Sequence, residues 1–409
     1  MNILQINVCL DKGGAAKVAL DLHNNLQKID VNSQFAYGWG VKGGKSDSES
    51  NVKNCFRIGS KPQVIANFVF HNLFGFDLFS PFGVGRSKLI DAIKMADVVH
   101  LHVIHSYFIR FSWILDAIAS ANKPVVWTSH DYWILTGRCS SVGDCNKWQS
   151  GCGHCPNLSS YPATFVDFSA TEFKRKRMYL SKISSNLVLV SPSSFLANEL
   201  KTELPNVDVC HIPNWLDKNF EDACRNNILA NELIKLPFGS VNVLVVSNNL
   251  DDTSKVNKEL IISLLDVEGV FLHTIGKNSP FSGKNVYNHG EITDRIEMVK
   301  VISSCDVSLF TSKIDTFGLV MIESLACGVP VLAVKSKAAE EVLLALNIKP
   351  IDSYADIIEL IRSRTLPTEY LNKTRESLQV SIFERFGHSA ATQNYVKIYK
   401  RLISANKLS

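Results

Sequence analysis

Short runs of Val, Ile and Leu alternate with amphipathic stretches along almost the whole chain, in two separate series. In the first series, strand-like runs at 3–8, 34–37, 97–103, 124–128, 187–191 and 208–212 are separated by helical patterns at 15–29, 88–95, 108–121, 173–183 and 194–203. In the second, runs at 241–247, 270–275, 286–288, 307–310 and 329–334 alternate with helical patterns at 257–265, 293–303 and 319–326. Continuous rather than alternating apolar strands signal a sheet covered on both faces, which requires parallel strands joined by helices. A chain of 409 residues with 46% apolar content has the material for two such cores, and it exceeds what one core organises. The fold class expected is therefore α/β, with two doubly wound, Rossmann-like domains facing each other across a cleft at the carboxyl ends of their strands.

The pattern breaks into polar, Asn-rich text between Pro213 and Gly239. This places the first domain at 1–216, a linker at 217–240, the second domain at 241–382, and a C-terminal helix at 383–409 that packs back on the first domain. Tyr395, Ile398, Tyr399 and Leu402 give that helix an apolar face.

No apolar run is long enough to span a bilayer, and the first residues enter a strand without a basic region or cleavage site. A cytoplasmic location is expected. A net charge of +4 gives no case for a nucleic-acid partner. The basic excess concentrates in Lys174-Arg175-Lys176-Arg177, which reads either as a solvated helix face or as a contact with anionic headgroups on the inner face of the inner membrane.

Chemistry-bearing residues gather at strand ends. After the run at 307–310, Ser312, Asp315 and Thr316 are helix-capping types, and Phe317-Gly318 introduces the next helix with a flexible residue where backbone N–H groups can meet an anion. Glu323 follows Asp315 by eight residues, and Ala326, Gly328, Pro330 and Val331 complete the stretch. After the run at 241–247 come Asn249 and Lys255. In the first domain Gly13-Gly14 follows the first strand, and His130-Asp131 follows the run at 124–128. His100 and His102 share one face of a strand with His105 at its exit; packing is the simpler reading there, a metal site the rarer one.

In this register the stretch from Ser312 to Val331 resembles the signature of the family 4 retaining glycosyltransferases, which have the GT-B fold. Longer matches, NILQINV with GGAAKVALDLH, HDYWILTGRC and GKNSPFSGKNVYNHG, resemble the colanic acid biosynthesis glycosyltransferases of enterobacteria. The resemblance implies a hexosyltransferase that moves sugar from a UDP- or GDP-sugar to a lipid-linked saccharide with retained configuration, in exopolysaccharide, O-antigen or capsule assembly. It implies an acceptor-side first domain, a nucleotide-sugar-binding second domain, and no obligatory catalytic metal. Carried over residue by residue, Glu323 binds the ribose, Asp315 and His130 lie by the sugar, Lys255 and the N–H groups at Phe317-Gly318 hold the diphosphate, and Gly13-Gly14 let the backbone approach a substrate. Two departures stand out: Asp315 where the family has Glu, and Asn249 where it has Arg. A GT-B epimerase or phosphorylase is the nearest rival reading.

Four cysteines, Cys139, Cys145, Cys152 and Cys155, fall in the spacing C-x5-C-x6-C-x2-C within an insertion at 137–160. Thiols this dense suggest a structural zinc site, with disulfide or redox chemistry and free thiols as alternatives. If the loop were the business end, the protein would instead be a metal-dependent interaction or redox protein.

Overall fold

The computed structural model describes residues 1–39, 52–226 and 239–407, and the chain divides into two compact units, Met1–Pro213 with the C-terminal segment from Ala391, and Asn214–Ala390. Among the described residues the first unit carries seven strands: β1 (Asn2–Asn7), β2 (Asn32–Tyr37), β3 (Cys55–Arg57), β4 (Val98–Leu101), β5 (Val125–Thr128), β6 (Leu187–Ser191) and β7 (Asp208–His211). They are paired in the order β3-β2-β1-β4-β5-β6-β7, every pair parallel. The second unit carries β8 (Val241–Asn249), β9 (Val270–Lys277), β10 (Val286–Asn288), β11 (Val307–Phe310) and β12 (Val331–Ala333), in the all-parallel order β10-β9-β8-β11-β12.

Every residue of β4, β5, β6, β11 and β12 is buried, as expected of strands with helices on both faces. In each sheet the strand order reverses once, between β1 and β4 and between β8 and β11. The loops leaving those strands diverge there and open a crevice at the carboxyl ends, the position where open α/β sheets bind ligands.

Three expectations need correction. Residues 217–225 are not linker: Asp217 caps a helix, Lys218–Arg225, by accepting from Phe220 N at 3.0 Å, and that helix buries Phe220 in the second unit. The remainder of the expected linker, 227–238, lies outside the described residues. The single C-terminal helix is two helices, Arg375–Phe386 and His388–Asn406, interrupted at Gly387. Glu221 holds the break, pairing with His388 Nδ1 at 2.8 Å and Arg225 at 2.7 Å. Burial opposes its charge, yet these partners pull Glu221 down to about 2. Beyond the break Tyr399 and Tyr395 reach the first sheet, the hydroxyls lying 2.7 Å from His100 and 3.0 Å from Thr128.

The third correction concerns the basic run. Only Lys174 of the four is exposed. Lys176 is buried, its ammonium 3.8 Å above the Trp133 ring and donating to the Trp133 carbonyl at 2.5 Å; burial lowers it to about 7. Arg175 pairs with Glu172 at 3.2 Å and Arg177 with Glu203 at 3.2 Å. Three of the four side chains thus brace the interior, so the run is not a solvated helix face.

Candidate active site

The crevice of the second sheet gathers the residues singled out after β8 and β11. The two exit loops are stitched together: Thr311 Oγ1 donates to Lys255 O at 3.0 Å and accepts from Asn257 N at 3.1 Å, while Lys313 N donates to Ser254 O at 3.1 Å. The loop after β8 is shaped by Asp252, whose Oδ1 accepts from Ser254 N and Oγ at 2.9 and 2.6 Å. The result sets the Lys255 ammonium against the Asp315 carboxylate, an ion pair open to solvent on one side. Residues sixty apart in sequence thus form one polar centre.

Phe317 is buried, its ring edge-on to Phe386, and anchors the loop after β11. Gly318 follows with φ +85°, where a Cβ would lie 2.6 Å from Met321 Cε and 3.0 Å from Phe310 Cζ. Only glycine meets both demands. It starts the helix Leu319–Ala326, which no side chain caps, so the helix presents uncompensated N–H groups at the crevice. On the same loop, six residues before Gly318, Ser312 is 6% exposed and its hydroxyl has no hydrogen-bond partner among the described residues. A loop that carries an orphan buried donor and ends in an uncapped helix start suits an anionic oxygen.

Glu323 lies further down that helix, with Arg295 Nη1 3.8 Å from its carboxylate. Arg295 also pairs with Asp217. Neither Arg295 nor Asp217 was singled out from the sequence as a site residue: they stand 28 and 106 positions before Glu323, and only the packing of two helix N-termini brings them there. Ser324 Oγ donates to Ser308 Oγ at 2.9 Å, pinning the helix to β11 and with it the direction of Glu323. Asn249 is already engaged, its Oδ1 accepting from Asp251 N at 3.3 Å and Asn278 Nδ2 at 3.1 Å.

The crevice of the first sheet is lined differently. Asn7 bridges the exits of β1 and β4, accepting from Val103 N at 3.1 Å and donating to Cys9 O at 2.7 Å. Gly13, at φ +85°, precedes the uncapped helix Gly14–Lys28. His130 Nε2 lies 3.1 Å from His102 Nδ1, and His102 Nε2 lies 2.9 Å from the Gln5 amide. Burial drives His130 down to about 4, against the opposing pull of Asp131, so at neutral pH it is an uncharged donor or acceptor. Burial disfavours charge on Asp131 too, but His105 at 2.9 Å and the Trp133 N–H at 2.9 Å outweigh it and lower its pKa. The histidines of β4 are thus hydrogen-bonded packing residues.

The zinc expectation finds no support among the described residues. Among the described residues no three His, Cys, Asp or Glu side chains form a metal site, and all ten cysteines are free thiols. The loop is organised by the Arg138 guanidinium instead, which donates to the carbonyls of Asn157 at 3.0 Å, Leu158 at 2.9 Å, Ser160 at 2.6 Å and Pro162. Its Nη1 sits 3.7 Å from Cys139 Sγ and 3.8 Å from Cys155 Sγ, so a cation already lies beside the thiols, and burial pushes Cys139 up to about 11.

Two doubly wound, all-parallel sheets, with a polar centre at the switch point of the second, fit the GT-B architecture. The family model "Glycosyl transferases group 1" matches residues 282–364, spanning β10 to β12. The chain is 33% identical over 370 residues to WcaC of Escherichia coli strain K12, named as a colanic acid biosynthesis glycosyl transferase, covering 88% of this chain and 90% of that one. In fold it matches sucrose-phosphate synthase from Thermosynechococcus elongatus (TM-score 0.66, 16% identity, 99% of each chain). It also matches Anabaena Alr3699/HepE, solved with UDP-glucose (TM-score 0.61, 16% identity, 98% of this chain and 100% of that one). The chain belongs to the group 1 glycosyl transferases and is a glycosyltransferase of GT-B fold.

Proposed function

We propose that the protein transfers a hexosyl group from a UDP- or GDP-sugar to a hydroxyl of a lipid-linked saccharide, with the anomeric configuration retained, during assembly of a surface polysaccharide. The observation that carries this reading is the convergence of Lys255, the partnerless Ser312 hydroxyl and the uncapped helix start at Gly318 on the switch point of the second sheet. These are donors for a diphosphate whose charge grows as the sugar departs, and fixed donors stabilise that charge without an obligatory metal ion. Glu323, oriented by Arg295, accepts from the ribose hydroxyls. Asp315, freed from Lys255 when the diphosphate takes its place, turns to the sugar; His130 and Gly13-Gly14 are assigned to the sugar and acceptor. The name of the Escherichia coli relative and the UDP-glucose in the Anabaena structure support the reaction class. No described helix is long and apolar enough to cross a membrane, so a lipid-linked acceptor would be met from the membrane surface, here assigned to the cytoplasmic face of the inner membrane.

Glu323→Ala tests the assignment. Losing two charge-assisted hydrogen bonds to ribose, worth roughly 2 kcal/mol net, weakens nucleoside diphosphate binding about 30-fold by calorimetry, and Glu323→Gln recovers part of it. Unchanged affinity in the alanine variant would remove Glu323 from the nucleotide site.

A further inference from the structure

The helix Lys61–Phe74 is built inside out. Its buried residues are Gln63, Asn67 and His71, spaced four apart on one face. Each is bonded inward: Gln63 Nε2 donates to Phe108 O at 2.7 Å, Asn67 Nδ2 to Phe79 O at 2.8 Å and Tyr107 O at 2.9 Å, and His71 Nδ1 pairs with Asp77 at 3.0 Å. The opposite face is apolar and open: Ile65 is 63% exposed, Phe68 52%, Val69 47% and Leu73 47%. The surface continues past the helix through Phe74, Phe79, Phe82 and Val84, and Phe165, 77% exposed, sits on a loop tied to the helix by Phe165 N donating to Asn72 O at 2.7 Å. A helix that turns its amides inward and its phenylalanines outward is built for an apolar surrounding on that side.

At the C-terminal end of this face a small recess opens to solvent, lined by His71, His105, Arg110, Arg138, Arg175 and Lys176, with Asp77 and Glu172 the carboxylates among its described lining. Both carboxylates are already paired, Asp77 with His71 and Glu172 with Arg175. Two cationic or donor groups are not engaged at the recess. His71 is 7% exposed and its Nε2 has no partner among the described residues. Arg110 is held only through Nε, which donates to Ser112 Oγ at 2.9 Å, so its terminal nitrogens face no described acceptor. The Arg110 guanidinium fork, with His71 Nε2 as a second donor when Asp77 holds that imidazole in its doubly protonated form, is a receptor for a tetrahedral oxyanion.

We propose that this face binds a lipid surface and that the recess takes the phosphate of a long-chain lipid phosphate, whose chain lies along the Phe68, Val69 and Leu73 side. One molecule, apolar at one end and anionic at the other, satisfies both features, whereas a second copy of the chain would cover the apolar face and leave the recess empty. The inference deepens the lipid-linked acceptor reading above, on which it rests, and names the group by which the acceptor is held.

The test uses the full chain with vesicles of phosphatidylcholine, alone or doped with farnesyl phosphate, and inorganic phosphate as competitor. Wild type sediments with both vesicles and prefers the doped ones. The triple variant Phe68→Ser, Val69→Ser, Leu73→Ser touches only exposed side chains and loses about tenfold or more of the binding to both. Arg110→Ala keeps binding to phosphatidylcholine and loses the preference for farnesyl phosphate. Wild-type sedimentation by the triple variant, an unaltered preference in Arg110→Ala, or inorganic phosphate abolishing all vesicle binding would each overturn the proposal. So would a triple variant that converts a wild-type dimer to monomer in size-exclusion chromatography. Nucleoside diphosphate binding, measured in the same variants, stays at the wild-type value. Glu323→Ala retains the vesicle preference, so failure of the donor assignment is read separately.

Discussion

Lys255→Ala is expected to lower kcat by about 10²- to 10³-fold while changing the KM for donor much less. The ammonium lies at the one point where the loops after β8 and β11 meet, and it is the cation those loops aim at the crevice. In the free enzyme Asp315 neutralises it, so much of its attraction for the ground-state diphosphate is offset by the broken ion pair. The diphosphate gains charge as the glycosidic bond opens, and only then does the exchange of partners become strongly favourable, which is the condition for an effect on kcat. Lys255→Arg keeps the charge but changes its shape, and recovers a part of the rate. Asp315→Asn leaves Lys255 unpaired, and should tighten nucleoside diphosphate binding even as turnover falls. Steady-state kinetics with product-inhibition constants for the free nucleotide separate these outcomes. A Lys255→Ala variant with full turnover would remove this cation from the chemistry.

Acidification from pH 6.5 to pH 4 is expected to cost this protein several kcal/mol of stability, with the loss beginning about two pH units above the ordinary carboxylate range. His23, His100, His102 and His130 in the first unit and His273 and His289 in the second all have lowered pKa values, with burial the largest cause in each. A histidine kept neutral by the fold binds its proton more readily in the unfolded chain. Its contribution is therefore complete above the unfolded pKa, near 6.5, and is lost as the pH falls through the folded value, about 4 for His130 and His273. Each of those two alone accounts for about 3 kcal/mol. Contact between His102 and His130 and between His273 and His289, both at 3.1 Å, makes the second proton of each pair harder to add, so the individual figures do not sum. Urea midpoints followed by circular dichroism at half-unit pH intervals should fall steeply across this window. A flat profile down to pH 4 would mean that these histidines are already charged in the native state.

What was legible from sequence, and what was not, follows from how each feature is encoded. Buried parallel strands are written locally, as continuous apolar runs, and all but one of the twelve described strands overlap a run read from the sequence. The exception, Cys55–Arg57, contains no Val, Ile or Leu and is only partly buried, so no apolar run marks it. The helix Lys61–Phe74 was missed because its polarity is inverted: the period is helical, but the polar residues are the buried ones. At the site, Lys255, Asp315, Gly318 and Glu323 stood out because each sits within thirteen residues of the end of β8 or β11. Arg295 and Asp217 did not, since their relation to Glu323 exists only once the helices Lys218–Arg225 and Arg295–Ser303 are packed together. The cysteine spacing left the loop's main brace unseen for a related reason. Four thiols close in sequence drew the reading toward ligands, whereas Arg138, which precedes the first of them, supplies the cross-links of that loop through backbone carbonyls, a role that no spacing reveals.

The central claim is that the loops after β8 and β11 and the helix Leu319–Ala326 hold the nucleotide end of the donor. Hydrogen exchange measured by mass spectrometry with and without saturating UDP, and again with GDP, tests it peptide by peptide. The account predicts that the nucleotide that binds slows exchange at 249–257 and 311–323, with β10 and the cysteine loop unchanged. Protection confined to the first unit, with 311–323 exchanging as in the free protein, would contradict it.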